Sequence, residues 1–208
     1  MTIRVSRGFR ELYSSAEFSE SISTEWMPWL LDGLELGDDI VDVAAGPGVA
    51  VRSLRTAGRQ VTVAQLAPEF TAELTGLFAC DRAVGVRDVD PTCLPFSDGH
   101  FTAATAVLSL HHVPSTEQQD RALAELARVL RPGAVLAGLN AIDGPHFRRM
   151  NDDGCCVPID PLSFAERLQR AGFIDVELTV WSFVRFTARV PTPELVADQD
   201  SGRPETKR

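Results

Sequence analysis

The stretch Ile40-Val41-Asp42-Val43-Ala44-Ala45-Gly46-Pro47-Gly48 decides the fold. Its first half is a short apolar run rich in β-branched residues, the composition of a strand buried on both faces. Its second half is a tight Gly-Pro-Gly turn. Residues 49–57 then read as a helix. A buried strand, a glycine turn and a helix form the opening unit of an open parallel sheet. In such a sheet, ligands bind outside the carboxyl ends of the strands. Glycines let the backbone approach a ligand there, and the first turn of the helix offers unpaired N–H groups.

The same alternation continues downstream. Residues 61–66 read as a strand, and 68–78 as a helix that opens with Pro68. Residues 85–90 and 101–110 are strands. Residues 115–130 form an amphipathic helix whose Leu123, Leu126, Val129 and Leu130 make one stripe. Arg131-Pro132-Gly133 stops it, and 134–142 follow as a strand. Residues 143–160 show no period and read as a loop. Residues 161–171 form a helix ended by Gly172, and strands 175–181 and 183–190 make a hairpin around Ser182. Upstream, residues 9–20 and 23–34 read as two helices. The second places Trp26, Trp29, Leu30 and Leu34 at helical spacing. Strands alternating with helices predict an α/β domain with a largely parallel sheet.

Composition narrows the function. The 208 residues are 44% apolar, enough for one domain with a sizeable core. There are 29 acidic residues against 20 basic ones, a net charge of −9. That balance argues against a nucleic-acid surface, which needs clustered Lys and Arg. No apolar run approaches the roughly 20 residues of a membrane helix, and MTIRVSRGFR has no signal-peptide core. Cys80, Cys93, Cys155 and Cys156 show no ligand spacing, so the reading is free thiols in a reducing cytoplasm and no metal. Asp152-Asp153 lacks a third ligand.

Two nucleotide-binding patterns fit the turn poorly. The dinucleotide fingerprint needs a third glycine where Val51 stands, and an acidic residue where the second strand ends in Gln65. The phosphate loop needs a Gly-Lys-Ser/Thr that is absent. A nicotinamide-dependent oxidoreductase is therefore a remote alternative.

Several further motifs occur in order: Asp90-Pro91-Thr92-Cys93-Leu94-Pro95-Phe96, Asp98-Gly99-His100-Phe101, Leu110-His111-His112-Val113, Leu130-Arg131-Pro132-Gly133 and Ala171-Gly172-Phe173. With residues 41–48, this set resembles the class I S-adenosylmethionine-dependent methyltransferases, in particular the small-molecule group called type 11, over about residues 38–190. The resemblance implies a doubly wound, Rossmann-like sheet of seven strands with the last antiparallel. Residues 1–37 would form helices capping the site, and 191–208 a frayed tail. It implies methyl transfer from S-adenosylmethionine to a small-molecule substrate, in a cytoplasmic monomer or homodimer with no nucleic-acid or membrane partner.

The family's roles carry over position by position. Asp42 would sit beneath the methionine part of the cofactor, with Ala44, Gly46 and Gly48 forming the turn. Gln65 would bond the ribose hydroxyls, Asp90 the adenine amino group, and Leu108 would face the methionine end. Three positions depart from the pattern. Ala44 replaces a glycine. Gln65 replaces a carboxylate, a loss of about 1–2 kcal/mol of charge-assisted bonding. Pro91 removes an N–H that commonly meets the adenine, leaving Asp88 as an alternative contact.

His111 and His112 lie where a neutral imidazole could take a proton from an acceptor O–H or N–H; the alternative is that they pack and hold the loop. Tyr13 would close over the cofactor or pack. Trp26 and Trp29 read as core or lid packing in preference to a substrate cage. Arg148 and Arg149 would meet a substrate carboxylate or remain solvated. A second expectation keeps the fold without methyl transfer, as a weak cofactor binder, a partner subunit or a catalyst of another reaction such as cyclisation.

Overall fold

The computed structural model describes residues 3–55 and 58–193. The elements run α1 (Arg7–Tyr13), α2 (Ala16–Ser21), α3 (Met27–Leu31), β1 (Asp39–Ala44), α4 (Val49–Leu54), β2 (Gln60–Gln65), α5 (Thr71–Leu77), β3 (Val84–Asp88), β4 (Phe101–Val107), α6 (Thr116–Val129), β5 (Leu130–Ala141), α7 (Pro145–Met150), α8 (Pro161–Arg170), β6 (Ile174–Val180) and β7 (Phe183–Arg189). A wide helical turn, Ile22–Trp26, joins α2 to α3.

The seven strands lie in the order β3-β2-β1-β4-β5-β7-β6. β1 to β5 are parallel, and β7 runs antiparallel to both β5 and β6. The expected seven-stranded doubly wound fold is therefore present. Because β1 pairs with both β2 and β4, chain order reverses between β1 and β4. A crevice opens at such a switch point, beyond the strand ends. The glycine turn lies there.

Burial explains the strands. β1 is buried from Ile40 onward, and β5 from Ala134 almost without interruption, as strands covered on both faces must be. One apolar cluster runs from Ile3 to Ala188, so the N-terminal helices share the core of the sheet. At Gly138 a Cβ would stand 2.2 Å from the Phe186 ring, so only glycine lets β5 and β7 lie together at that point.

Several boundaries move. The first predicted helix is two, because Ser15 turns its hydroxyl to the Phe18 N–H and starts a new helix. The predicted helix 49–57 ends at Leu54, and residues 56 and 57 lie outside the described residues. The third strand stops at Asp88, leaving Asp90 in a tight turn that bridges to Cys93. β4 stops at Val107. The predicted loop 143–160 contains α7, a helix too short to display a period. Of the predicted tail, residues 194–208 lie outside the described residues.

Candidate active site

The glycine turn is built from β1 outward. Strand register sets Asp42 beside Thr105 of β4, whose hydroxyl donates to Asp42 Oδ1 at 2.6 Å. Burial pushes the Asp42 carboxyl up to about 6, although the Thr105 bond opposes this. Past Ala44 the chain turns at Gly46, where a Cβ would lie 3.0 Å from the Tyr13 ring. Gly48 opens α4 with φ of 69°, a left-handed conformation that disfavours any side chain.

Tyr13, from the end of α1, is buried against this turn. Its hydroxyl donates to the Leu108 carbonyl at 3.0 Å and meets Nε2 of His112 at 2.8 Å and of His111 at 3.4 Å. The cavity lined by Tyr13, Asp42, Ala44, Gly46, Gly48 and Leu108 is only about 20 Å³. Small-molecule sites usually hold about 300 Å³ or more. Tyr13 therefore fills this pocket, while Tyr13, Gly48, Arg52, Phe70 and Glu73 line a separate, wider cleft of about 590 Å³ against the same turn.

Gln65 departs from expectation. It is fully buried, its Nε2 donates to the Gly46 carbonyl at 2.9 Å, and its Oε1 accepts the Ala67 N–H at 3.1 Å. Each end of the amide is bonded inside the protein, binding the β2 end to the glycine turn. Asp90 uses Oδ1 to accept from the Thr92 N–H and hydroxyl, at 2.9 and 2.6 Å. Pro91 is buried beside it. Asp88 accepts from the Thr71 hydroxyl at the exposed end of β3.

His111 and His112 form a short helical turn after β4, and both are buried. Phe9 of α1 covers them, with ring centroids 4.7 and 5.1 Å away. His111 Nδ1 lies 3.3 Å from Asn140 Oδ1, and His112 Nδ1 lies 3.1 Å from Cys156 Sγ. Burial holds the His111 imidazole down to about 4, and burial with the neighbouring His111 holds His112 well below the usual range. Both are neutral near pH 7. Tyr13 stands between them and the glycine turn.

Arg148 and Arg149 sit exposed on α7. Arg148 is paired with Asp143 through Nε at 2.9 Å and Nη2 at 2.5 Å. Neither arginine lines the cavity at the glycine turn. The expected substrate role has no support in this arrangement.

Asn140 is the residue that the sequence reading missed. From β5, its Oδ1 accepts the Ser109 and Leu110 N–H groups at 3.0 and 2.9 Å, while its Nδ2 donates to the Ala106 carbonyl at 2.8 Å. It secures the turn at which Leu108 adopts a φ of 53°. Its signal was available as a lone amide in the apolar run Ala134 to Ile142. Ser109 Oγ, in the same turn, is buried without a partner. Among the described residues no cluster of three metal-ligating side chains exists.

Known proteins resemble the chain in sequence and in fold. A family model described as a methyltransferase domain matches residues 41–138. An uncharacterized protein of Mycobacterium tuberculosis is 34% identical over 109 residues, which is 52% of this chain and 39% of that protein. A demethylmenaquinone methyltransferase of Mycolicibacterium paratuberculosis is 35% identical over 106 residues, 50% of this chain and 42% of that protein. The chain thus spans about two fifths of the length of these relatives. Among solved structures, the CurJ carbon methyltransferase superposes with a TM-score of 0.68 at 15% identity, over 88% of this chain and 58% of that one. The [4+2]-cyclase SpnF superposes with a TM-score of 0.66 at 20% identity, over 81% and 80%. At these identities the structures speak for the fold alone.

Proposed function

We propose, from the methyltransferase-domain model that matches residues 41–138, that the chain transfers a methyl group from S-adenosylmethionine to a small-molecule acceptor, releasing S-adenosylhomocysteine. The observation that carries this reading is the glycine turn at the β1–β4 switch point, with Gly48 left-handed and the Asp42 carboxylate buried beneath it. The residues of the turn fit the cofactor; the Tyr13 ring occupies the pocket beside Asp42 and would have to move for a ligand to enter it.

Bound there, the cofactor would supply an electrophilic methyl carbon on a sulfonium. The chain's own residues do the rest. Asp42 and Thr105 set the shape of the turn, and Gly46 and Gly48 allow close approach. Phe9 and Tyr13 exclude water from the end of β4. Holding the acceptor in line at short range supplies much of the rate of such a transfer. His111 and His112, neutral and directed at the Tyr13 hydroxyl, hold the closed position; either acts as a general base only once Tyr13 has moved. Two relatives are named as quinone methyltransferases, which suggests a hydrophobic ring as the acceptor. No helix among the described residues is long and apolar enough to cross a membrane. Cytoplasmic location and a monomeric or homodimeric state belong to the same proposal.

The committed Gln65 amide favours a second reading, in which the fold is kept without methyl transfer. Isothermal titration calorimetry with S-adenosylmethionine and S-adenosylhomocysteine separates the two. Micromolar binding of both is expected. No binding up to millimolar concentration, by the wild type and by a Tyr13→Ala variant that vacates the space, would falsify methyl transfer.

A further inference from the structure

All three tryptophans of the chain stand on one groove. Trp26 and Trp29 come from the N-terminal helical segment, and Trp181 from the turn between β6 and β7. Phe183 and Leu139 complete an apolar lining around a space of about 440 Å³, within the range of small-molecule sites. Trp29 and Trp181 stack with centroids 5.1 Å apart and planes 19° from parallel. Trp26 meets Phe183 at 5.1 Å. Core packing does not account for this wall, because Trp181 is 69% exposed. A large ring left in water beside other rings offers a face on which a further ring can stack.

The groove lies one strand from the glycine turn. Leu139 pairs with Val107 of β4, and the next residue, Leu108, lines the small cavity. A ladder of rings joins the two places, Tyr13 to Phe18 at 5.9 Å, Phe18 to Trp26 at 5.7 Å, then Phe183.

Charge selects the ligand. The Arg185 guanidinium already lies 5.0 Å from the Trp29 ring centre, held by Nη2 donating to the Trp29 and Leu30 carbonyls at 3.4 and 3.2 Å. That ring already carries a cation, which weakens its hold on an ammonium group. Glu25, the one carboxylate on the lining, is exposed and stays solvated. Flat aromatic walls favour a flat partner over a flexible chain. We propose that this groove binds an uncharged, planar ring compound of about two fused rings, and that this compound is the methyl acceptor. The second half of the statement rests on the proposed reaction; the binding itself does not.

The test uses the full chain labelled with 5-fluorotryptophan, whose three resonances are assigned by single Trp→Phe substitutions. The probe is 2-naphthol, with 1-octanol and tetramethylammonium as controls, all titrated without cofactor. We expect 2-naphthol to shift all three resonances. Trp181→Ala should weaken binding by about tenfold, and Trp181→Phe should restore most of it. An equal response to 1-octanol, a preferred response to tetramethylammonium, or no response to 2-naphthol overturns the groove assignment. Trp181→Ala should leave cofactor affinity by calorimetry unchanged, while raising KM for any planar acceptor that is turned over. An unchanged KM overturns the acceptor assignment and leaves the methyltransferase reading intact.

Discussion

Gln65 shows how one side chain can be engaged inside the protein at a position where the resemblance implies a ligand contact. At the end of β2 an exposed carboxylate would accept from a ribose. The amide instead needs both its donor and its acceptor, one for Gly46 and one for Ala67. Gln65→Glu would set a carboxylate oxygen against the Gly46 carbonyl, two acceptors facing each other in a buried place. We expect a loss of about 1–3 kcal/mol in urea denaturation and no gain in cofactor affinity by calorimetry. A sharp gain in affinity would mean that the side chain turns outward to the ligand. Nothing in the sequence could reveal the Gly46 contact, because it depends on how β1 and β2 lie side by side.

At the scale of elements, the ends of β4 and β5 act as one unit. Asn140 reaches from β5 and bonds three backbone groups of the chain leaving β4. Asn140→Ala leaves two N–H groups and one carbonyl buried without partners, and should cost about 2–4 kcal/mol. Asn140→Asp keeps the acceptor but loses the donor to Ala106, so a smaller loss is expected. Equal losses in the two variants would show that the acceptor to Ser109 and Leu110 contributes nothing. Helices α1 and α7 form a second unit over the same site. Ser6 Oγ donates to the Met150 carbonyl at 2.5 Å, and Phe147 packs against Phe9. The strands and long helices were legible because their periods span enough residues to show. The six residues of α7 and the break at Ser14-Ser15 were not, since short segments take their conformation from what they pack on.

For the whole molecule, buried ionisable groups set how stability follows pH. His111, held down to about 4 by burial, and His112, held down by burial and by His111, regain values near 6.5 in the unfolded chain. Between about 4 and 6.5 the unfolded chain then binds more protons. The His111 contribution is complete above about 6.5 and is lost as pH falls toward 4, and that of His112 is lost in the same direction. Asp42 works the other way. Burial raises it to about 6, so the folded chain keeps a proton that the unfolded chain has released above about pH 4, and stability falls as pH rises through that window. Two imidazoles against one carboxyl give a net rise with pH. Asp42→Asn should steepen that rise by up to about 1.4 kcal/mol per pH unit between pH 4.5 and 6. Urea denaturation across this range checks it, and an unchanged or shallower slope would show that Asp42 is not the opposing group.

The sequence by itself determined the strands, the long helices, their order and the fold family. Strand burial, glycine turns and helix stripes are local patterns, and the motifs at 41–48, 90–96, 110–113 and 130–133 keep the spacing of one architecture. The reversal of chain order between β1 and β4 then gives the glycine turn its place at a crevice. Only the tertiary structure decided which side chains meet. It set Tyr13 on Gly46, bonded Gln65 inside the protein, buried both histidines and brought Trp181 to Trp26 and Trp29 around one groove. Such contacts join residues far apart in the chain, and no periodicity records them.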